Sequence, residues 1–233
     1  MAEIHLMSGY APKEAFARLA VLFEKESGVK PVFHYAVLGA IKEKLAAGER
    51  PDIIIMPVGL IDGYVTQGIA NANERSALGI VRTGVAVKAG TTGPDLSSLE
   101  TFRASLIKAR AIAHSPATAT PSGAHCAKLM EKLSIAEVMA KKTIYRPALE
   151  GGLEAVSSGE AQFGIYPKSE IVNVPGIEVV GLLPAGAAFD NFYGAAVVVG
   201  SQTAAPAAAF VRFLALPANR QIWADAGFDP PSV

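Results

Sequence analysis

The chain is poor in the residues that bring ready-made chemistry. Its 233 residues include one cysteine, Cys126, which excludes an internal disulfide and a thiolate metal cluster. Cys126 lies in an apolar helical pattern and reads as a buried small hydrophobe. Four histidines, at positions 5, 34, 114 and 125, have no paired ligand spacing, and HExxH and CxxC are absent. No metal and no cofactor is therefore expected. A GK[ST] phosphate loop and a GxSxG nucleophile elbow are also missing. Charge is sparse at 18%, with 21 Lys plus Arg balancing 21 Asp plus Glu. With no basic block, nucleic acid and acidic membrane surfaces are excluded as main partners. No apolar run approaches the ~20 residues that span a bilayer, so direct membrane insertion is not expected. The start carries no charged segment, apolar run and cleavage site of a secretory leader. As written, the chain is expected in the cytoplasm, or in the periplasm if a leader has been removed.

What is present is core material: 51% of the residues are apolar. This suits one large domain or two of about 100–130 residues. The first stretch sets the theme. Ile4 to Met7 reads as a strand, Ser8-Gly9-Tyr10 as a turn, and Pro12 as the first position of a helix that ends near Gly28. Free backbone N–H groups and the helix dipole at such a start favour an anion, although any β-α unit begins this way.

The same alternation continues along the chain. Strands are expected at Lys30–Tyr35, Asp52–Met56, Ile80–Lys88, Ala109–His114, Thr143–Arg146, Gln162–Tyr166, Ile177–Leu183 and Phe192–Val199. Helices are expected at Gly39–Ala47, Leu60–Gln67, Leu99–Lys108, Ser122–Leu133, Glu150–Ser158, Ala204–Leu216 and Pro217–Ala226. The continuous apolar run DIIIM suits a central parallel strand buried on both faces. Strands alternating with short helices imply right-handed β-α-β units and mostly parallel sheets. The expected fold class is thus α/β, with two lobes: residues 1–81 with 195–233, and residues 84–190. Two long strands cross between them, and the ligand is expected in the cleft at the carboxyl ends of the strands.

Four segments carry a family likeness: AFARLAVLFEKESGVKP, AIKEKLAAGERPDIIIMP, GVAVKAGTTGPDLSSLETFR and AAFVRFLALPANRQIWADAGFD. Through them the chain resembles the type 2 periplasmic binding proteins, most closely the molybdate-binding-protein-like group of ABC-transporter solute receptors. The resemblance implies a two-lobed receptor that closes on a small anion, with an ABC permease as partner if the chain is exported. In that group a serine at the first helix start and another after the second strand donate hydrogen bonds to the oxyanion. Here Ala11 stands at the first position, and Ala36-Val37-Leu38-Gly39 has no hydroxyl. Each hydrogen bond to a charged partner is worth ~1.5–3 kcal/mol, so the pattern departs from molybdate.

Other groups fill the same places. Ser8, Gly9, Tyr10 and Ala11 form the first turn, and Tyr35, Leu38 and Gly39 follow the second strand. Ser115, Thr118, Ser122 and Gly123 surround a second helix start. Arg146, followed by proline and by Leu149, has the form of a carboxylate clamp before a third helix start. Tyr166 falls near the position where the family carries a ligand-binding tyrosine. Together these suggest an organic acid with two or more carboxylates. Plainer readings stand beside them: Ser122 is an adequate N-cap without a ligand, Arg146 an adequate surface charge, and His34 or His114 an ordinary core or surface histidine.

Two functions follow. The first is a solute-binding protein for an organic di- or tricarboxylate. The alternative comes from an offshoot of the same group that also lacks the serines and interconverts cis- and trans-aconitate. That chemistry is an allylic proton shift, which needs carboxylate clamps and groups that titrate near neutrality. His34, His114 and Tyr10 are the candidate proton carriers. A ligand-sensing regulator is disfavoured, because no DNA-binding helix-turn-helix precedes the first strand.

Overall fold

The computed structural model describes residues 2–231, which form two compact units: residues up to Val81 with those from Asn191, and Arg82–Asp190. Each unit is a sheet covered on both faces by helices.

The first unit opens with β1 (Ala2–Ser8), α1 (Lys13–Ser27), β2 (Val29–Tyr35), α2 (Leu38–Ala46), β3 (Ile53–Pro57) and α3 (Val58–Thr66). It also contains the first part of β4 (Ala70–Lys88) and nearly all of β9 (Asp190–Val198), then α9 (Ala204–Leu214) and α10 (Arg220–Asp225). β1 pairs in parallel with β2 and β3, and β9 lies antiparallel to β3. Ile53, Ile54, Ile55 and Met56 are all fully buried, as a strand covered on both faces requires. On one face Ile4, Leu6, Ile53 and Ile55 meet Phe16 and Leu19 of α1 and Phe210 of α9. On the other, Met7, Ile54 and Met56 meet Ile41 of α2 and Ile61 of α3. Burying one such side chain is worth ~1.5–3 kcal/mol, so these two layers carry most of the unit's stability.

The second unit takes the rest of β4 and adds α4 (Leu99–Lys108), β5 (Ile112–His114), α5 (Pro121–Lys132), α6 (Ala136–Ala140) and β6 (Thr143–Tyr145). It ends with α7 (Leu153–Ser157), β7 (Phe163–Pro167), α8 (Lys168–Ile171) and β8 (Ile177–Leu182). β5 runs parallel to both β6 and β7, while β4 is antiparallel to β7 and β8. The carboxyl ends of β5, β6 and β7 therefore share one edge of the sheet.

Several expectations need correction. β4 begins ten residues before the expected Ile80, because Ala70 to Gly79 is extended backbone whose polar side chains masked it. The helix expected from Glu150 is a wide turn, Ala148–Gly152, followed by the short α7. The cause is local: Gly151 sits at φ +90° and Glu150 at φ −119°, ψ 49°, neither compatible with a helix. The last helix divides into a 3-10 turn at Pro217–Asn219 and α10. The structure adds two short helices, α6 and α8, to the expected elements.

Candidate functional site

In the first unit the candidate residues gather at the carboxyl ends of β1 and β2. Ser8 is fully buried and its Oγ donates to the Gly9 carbonyl (2.9 Å). The Ser8 carbonyl accepts from Ala36 N (3.2 Å), which ties the first turn to the loop after β2. Gly9 passes so close to α2 that a Cβ there would lie 3.2 Å from Leu38 Cδ2. Both α1 and α2 start without a side-chain cap, at Pro12 and at Val37, so their first N–H groups are not satisfied by a capping side chain. Tyr10 stacks on Tyr35 (6.3 Å between centroids), and Lys13 Nζ lies 6.0 Å over the Tyr35 ring. Burial, aided by the Glu14 carboxylate, pushes the Tyr35 hydroxyl above its ordinary pKa, so it keeps its proton. Ala11 is 1% exposed and packs in the core beside Phe16. Leu38 is likewise buried, while Gly39 is only partly covered.

His34 is placed differently. Side chains alternate along a strand, so His34 is out of phase with Phe33 and Tyr35, which pack toward α1. It is exposed and stacks on His5, with His5 Nδ1 3.3 Å from His34 Nε2. The structure does not bring His34 to Tyr10 and Tyr35.

In the second unit α5 starts at Pro121, and its N-cap is Thr120 rather than Ser122. Thr120 Oγ1 accepts from Gly123 N (3.0 Å) and lies 3.1 Å from Ser122 Oγ. The shift has a simple cause, since proline is well suited to the first helical position. Ser115 and Ser122 are each 2% exposed, whereas Thr118 is exposed in the loop between them. Gly123 is there for clearance: a Cβ would sit 2.5 Å from the Ser115 carbonyl and clash with that of Pro116. His114, at the end of β5, is 2% exposed and meets Tyr145 edge-on. Its Nδ1 is 2.8 Å from the Ser115 carbonyl, which can only accept, so Nδ1 carries a proton. Burial holds the imidazole below its usual pKa, outweighing that hydrogen bond. His114 is then neutral near pH 7, with its lone pair on Nε2.

Two other candidates are already engaged. Arg146 is half-exposed, and its Nη1 pairs with Glu160 Oε2 at 3.1 Å, so the expected carboxylate clamp holds a carboxylate of its own chain. Tyr166 is fully buried, and its hydroxyl donates to the Arg146 carbonyl at 3.0 Å. It braces the core instead of presenting its hydroxyl at the surface. Gly152 has no side chain because a Cβ would meet the Tyr166 hydroxyl and lie 2.8 Å from the Arg146 carbonyl. Leu149 is 37% exposed in the wide turn, which offers no helix start.

Sequence reasoning missed a neighbouring group at this edge. Burial, reinforced by the negative charge of Glu150, pushes the Glu170 carboxyl up to about 8. Beside it, Ser169 is 2% exposed and its Oγ has no hydrogen-bond partner among the described residues. The only sequence signal was PKSE directly after a strand, which does not reveal burial.

Comparisons with known proteins place these features. The sequence profile of a family described as "bacterial extracellular solute-binding protein" matches residues 4–229. Aconitate isomerase from Pseudomonas sp is 31% identical over 218 residues, covering 91% of this chain and 82% of that protein. The periplasmic molybdate-binding protein of Azotobacter vinelandii superposes with a TM-score of 0.81 at 18% identity, over 98% of this chain and 100% of that one. The sulfate-binding protein of Mycobacterium tuberculosis gives 0.78 at 16% identity, over 100% of this chain and 88% of that one. At such identities the two structures speak for the fold alone. No helix among the described residues is long and apolar enough to cross a membrane.

Proposed function

The chain belongs to the bacterial extracellular solute-binding proteins, and from that premise we propose that it takes an organic tricarboxylate and isomerises it by an allylic proton shift. The observation that carries this reading is the neutral His114 imidazole, held in one tautomer beside the hydroxyl-lined start of α5. A receptor needs only donors, whereas a proton shift also needs a base that is unprotonated at rest. The named relative supports the same chemistry. In the first unit, Ala11 offers a buried methyl and no hydroxyl for a tetrahedral oxyanion.

In this reading the α5 start and its Ser115, Thr120 and Ser122 hydroxyls engage the polyanion. His114 Nε2 removes the proton from the methylene carbon, and the helix start stabilises the charge that spreads onto the neighbouring carboxylate. Reprotonation at the other end of the allylic system moves the double bond. An extracytoplasmic location belongs to the same proposal.

Purified protein incubated with cis-aconitate in D2O, followed by NMR, tests the reaction. Conversion to the trans isomer with deuterium incorporation is expected. A thermal-shift panel of tricarboxylates, molybdate, tungstate and sulfate runs alongside it. Bound ligand at a hundredfold excess over Kd stabilises by about 2.7 kcal/mol, which such a panel resolves. Stabilisation by tricarboxylates without turnover would leave the receptor reading, and stabilisation by tetrahedral oxyanions alone would overturn both.

A further inference from the structure

We infer that Glu170 is a proton-carrying residue of this reaction, the group that delivers a proton to the receiving carbon of the allylic system; the inference rests on the isomerase reading. Its position in the fold is the first argument. α8 begins where β7 ends, and β5, β6 and β7 are parallel, so Glu170 emerges at the same sheet edge as the loop after His114. α8 packs against β7, β8 and the wide turn Ala148–Gly152.

Ser169 adds a second reason that does not depend on how Glu170 titrates. The adjoining Ser169 hydroxyl is buried and has no partner among the described residues. Buried hydroxyls are nearly always hydrogen-bonded, because leaving one unpaired forfeits its hydration without return. A carboxylate-bearing ligand seated at this edge would supply the missing acceptor.

The third is the charge around Glu170. The titratable groups on the packed elements are Glu150 in the wide turn, Tyr166 on β7 and Glu178 on β8, with Lys168 on α8 itself. Of these, Glu150 acts on Glu170, and it acts against ionisation. The nearby guanidinium of Arg146 is paired with Glu160, and the Tyr166 hydroxyl with a backbone carbonyl. Glu170 therefore holds its proton near pH 7, as a donor must, while His114 is unprotonated. Two groups with pKa values driven apart by their surroundings divide the roles of acid and base.

The step balances without a co-reactant. One C–H bond breaks as His114 takes the proton, and the double bond moves. A new C–H bond forms with the proton from Glu170. His114 then releases its proton to solvent and Glu170 regains one, so no oxidation occurs.

The test compares wild type with Glu170→Gln on cis-aconitate, by NMR across a range of pH. Glutamine keeps the shape and hydrogen-bonding capacity but has no proton to give. The expected result is a fall in kcat of about 10²–10⁴-fold with KM little changed. Wild-type kcat should also fall above a pH of about 8, as the acid ionises, and the variant's residual rate should lack that limb. An active wild type with an equally active variant and an unaltered limb would overturn the inference alone. An inert wild type would remove the isomerase reading and this inference with it. If the variant does not fold, the wild-type profile decides: an alkaline limb near 8 supports the assignment, and a kcat that stays flat well above that pH refutes it.

Discussion

Glu170→Gln should also stabilise the protein, and increasingly so as the pH rises. The folded state raises the Glu170 pKa from its ordinary 4.5 to about 8. Between those values the folded chain holds a proton that the unfolded chain has released. Stability therefore falls as the pH climbs through this window, and the full penalty is present above the folded pKa. At ~1.4 kcal/mol per pH unit the ceiling is about 5 kcal/mol. Water reaches part of this residue, since it is not fully covered, so roughly half of that, ~2–3 kcal/mol, is the expected size. For a chain of this length each kcal/mol moves the melting midpoint by about 2–4 °C. Melting curves without ligand should show the two proteins close together at a pH of about 5 and separated by about 5–10 °C at a pH of about 9, with the variant higher. A difference that does not change with pH would show that Glu170 is not held protonated, and would refute the reasoning about its surroundings.

Three further outcomes follow from the same edge of the second unit. Tyr166→Phe should lower stability by ~1 kcal/mol, by orphaning the Arg146 carbonyl, and leave tricarboxylate affinity unchanged; a large loss of affinity would return Tyr166 to the ligand. Gly123→Ala should cost at least ~2 kcal/mol in urea denaturation and weaken ligand binding, because the loop carbonyls of Ser115 and Pro116 must move off the α5 start. Ser169→Ala should be neutral or stabilising without ligand, by up to ~1 kcal/mol, yet weaken tricarboxylate binding; a plain loss of stability would mean that its hydroxyl has a partner in solution.

The parts of this protein that were legible in its sequence are those set by local pattern. The run from Ile53 to Met56, unbroken by polar residues, announces a strand covered on both sides, and it is one. Ser8 to Lys13 gives itself away as a strand-turn-helix junction. What escaped depended on contacts between distant residues. One residue of strand register separates a ligand-facing tyrosine from a core tyrosine, and Tyr166 lies on the inner side. Arg146 is engaged by Glu160 from beyond α7, a pairing that arginine-proline spacing does not reveal. Glu170 looks like any helical carboxylate until the fold partly covers it and sets the charge of Glu150 against it.

Tyr166 has a consequence for how this sequence can change by descent. Its ring occupies the space where Gly164 would otherwise carry a side chain, since a Cβ there would lie 2.6 Å from the ring, whereas a Cβ on Gly152 would also meet the Pro147 and Arg146 carbonyls at 2.6 and 2.8 Å. Positions 164 and 166 are thus inherited as a pair, while glycine at 152 is required by the backbone around it. A lineage that gains a side chain at 164 must first shorten or lose the tyrosine, and one that keeps the tyrosine is barred from that step. Among descendants of this chain, tyrosine at 166 should travel with glycine at 164, whatever ligand each descendant binds.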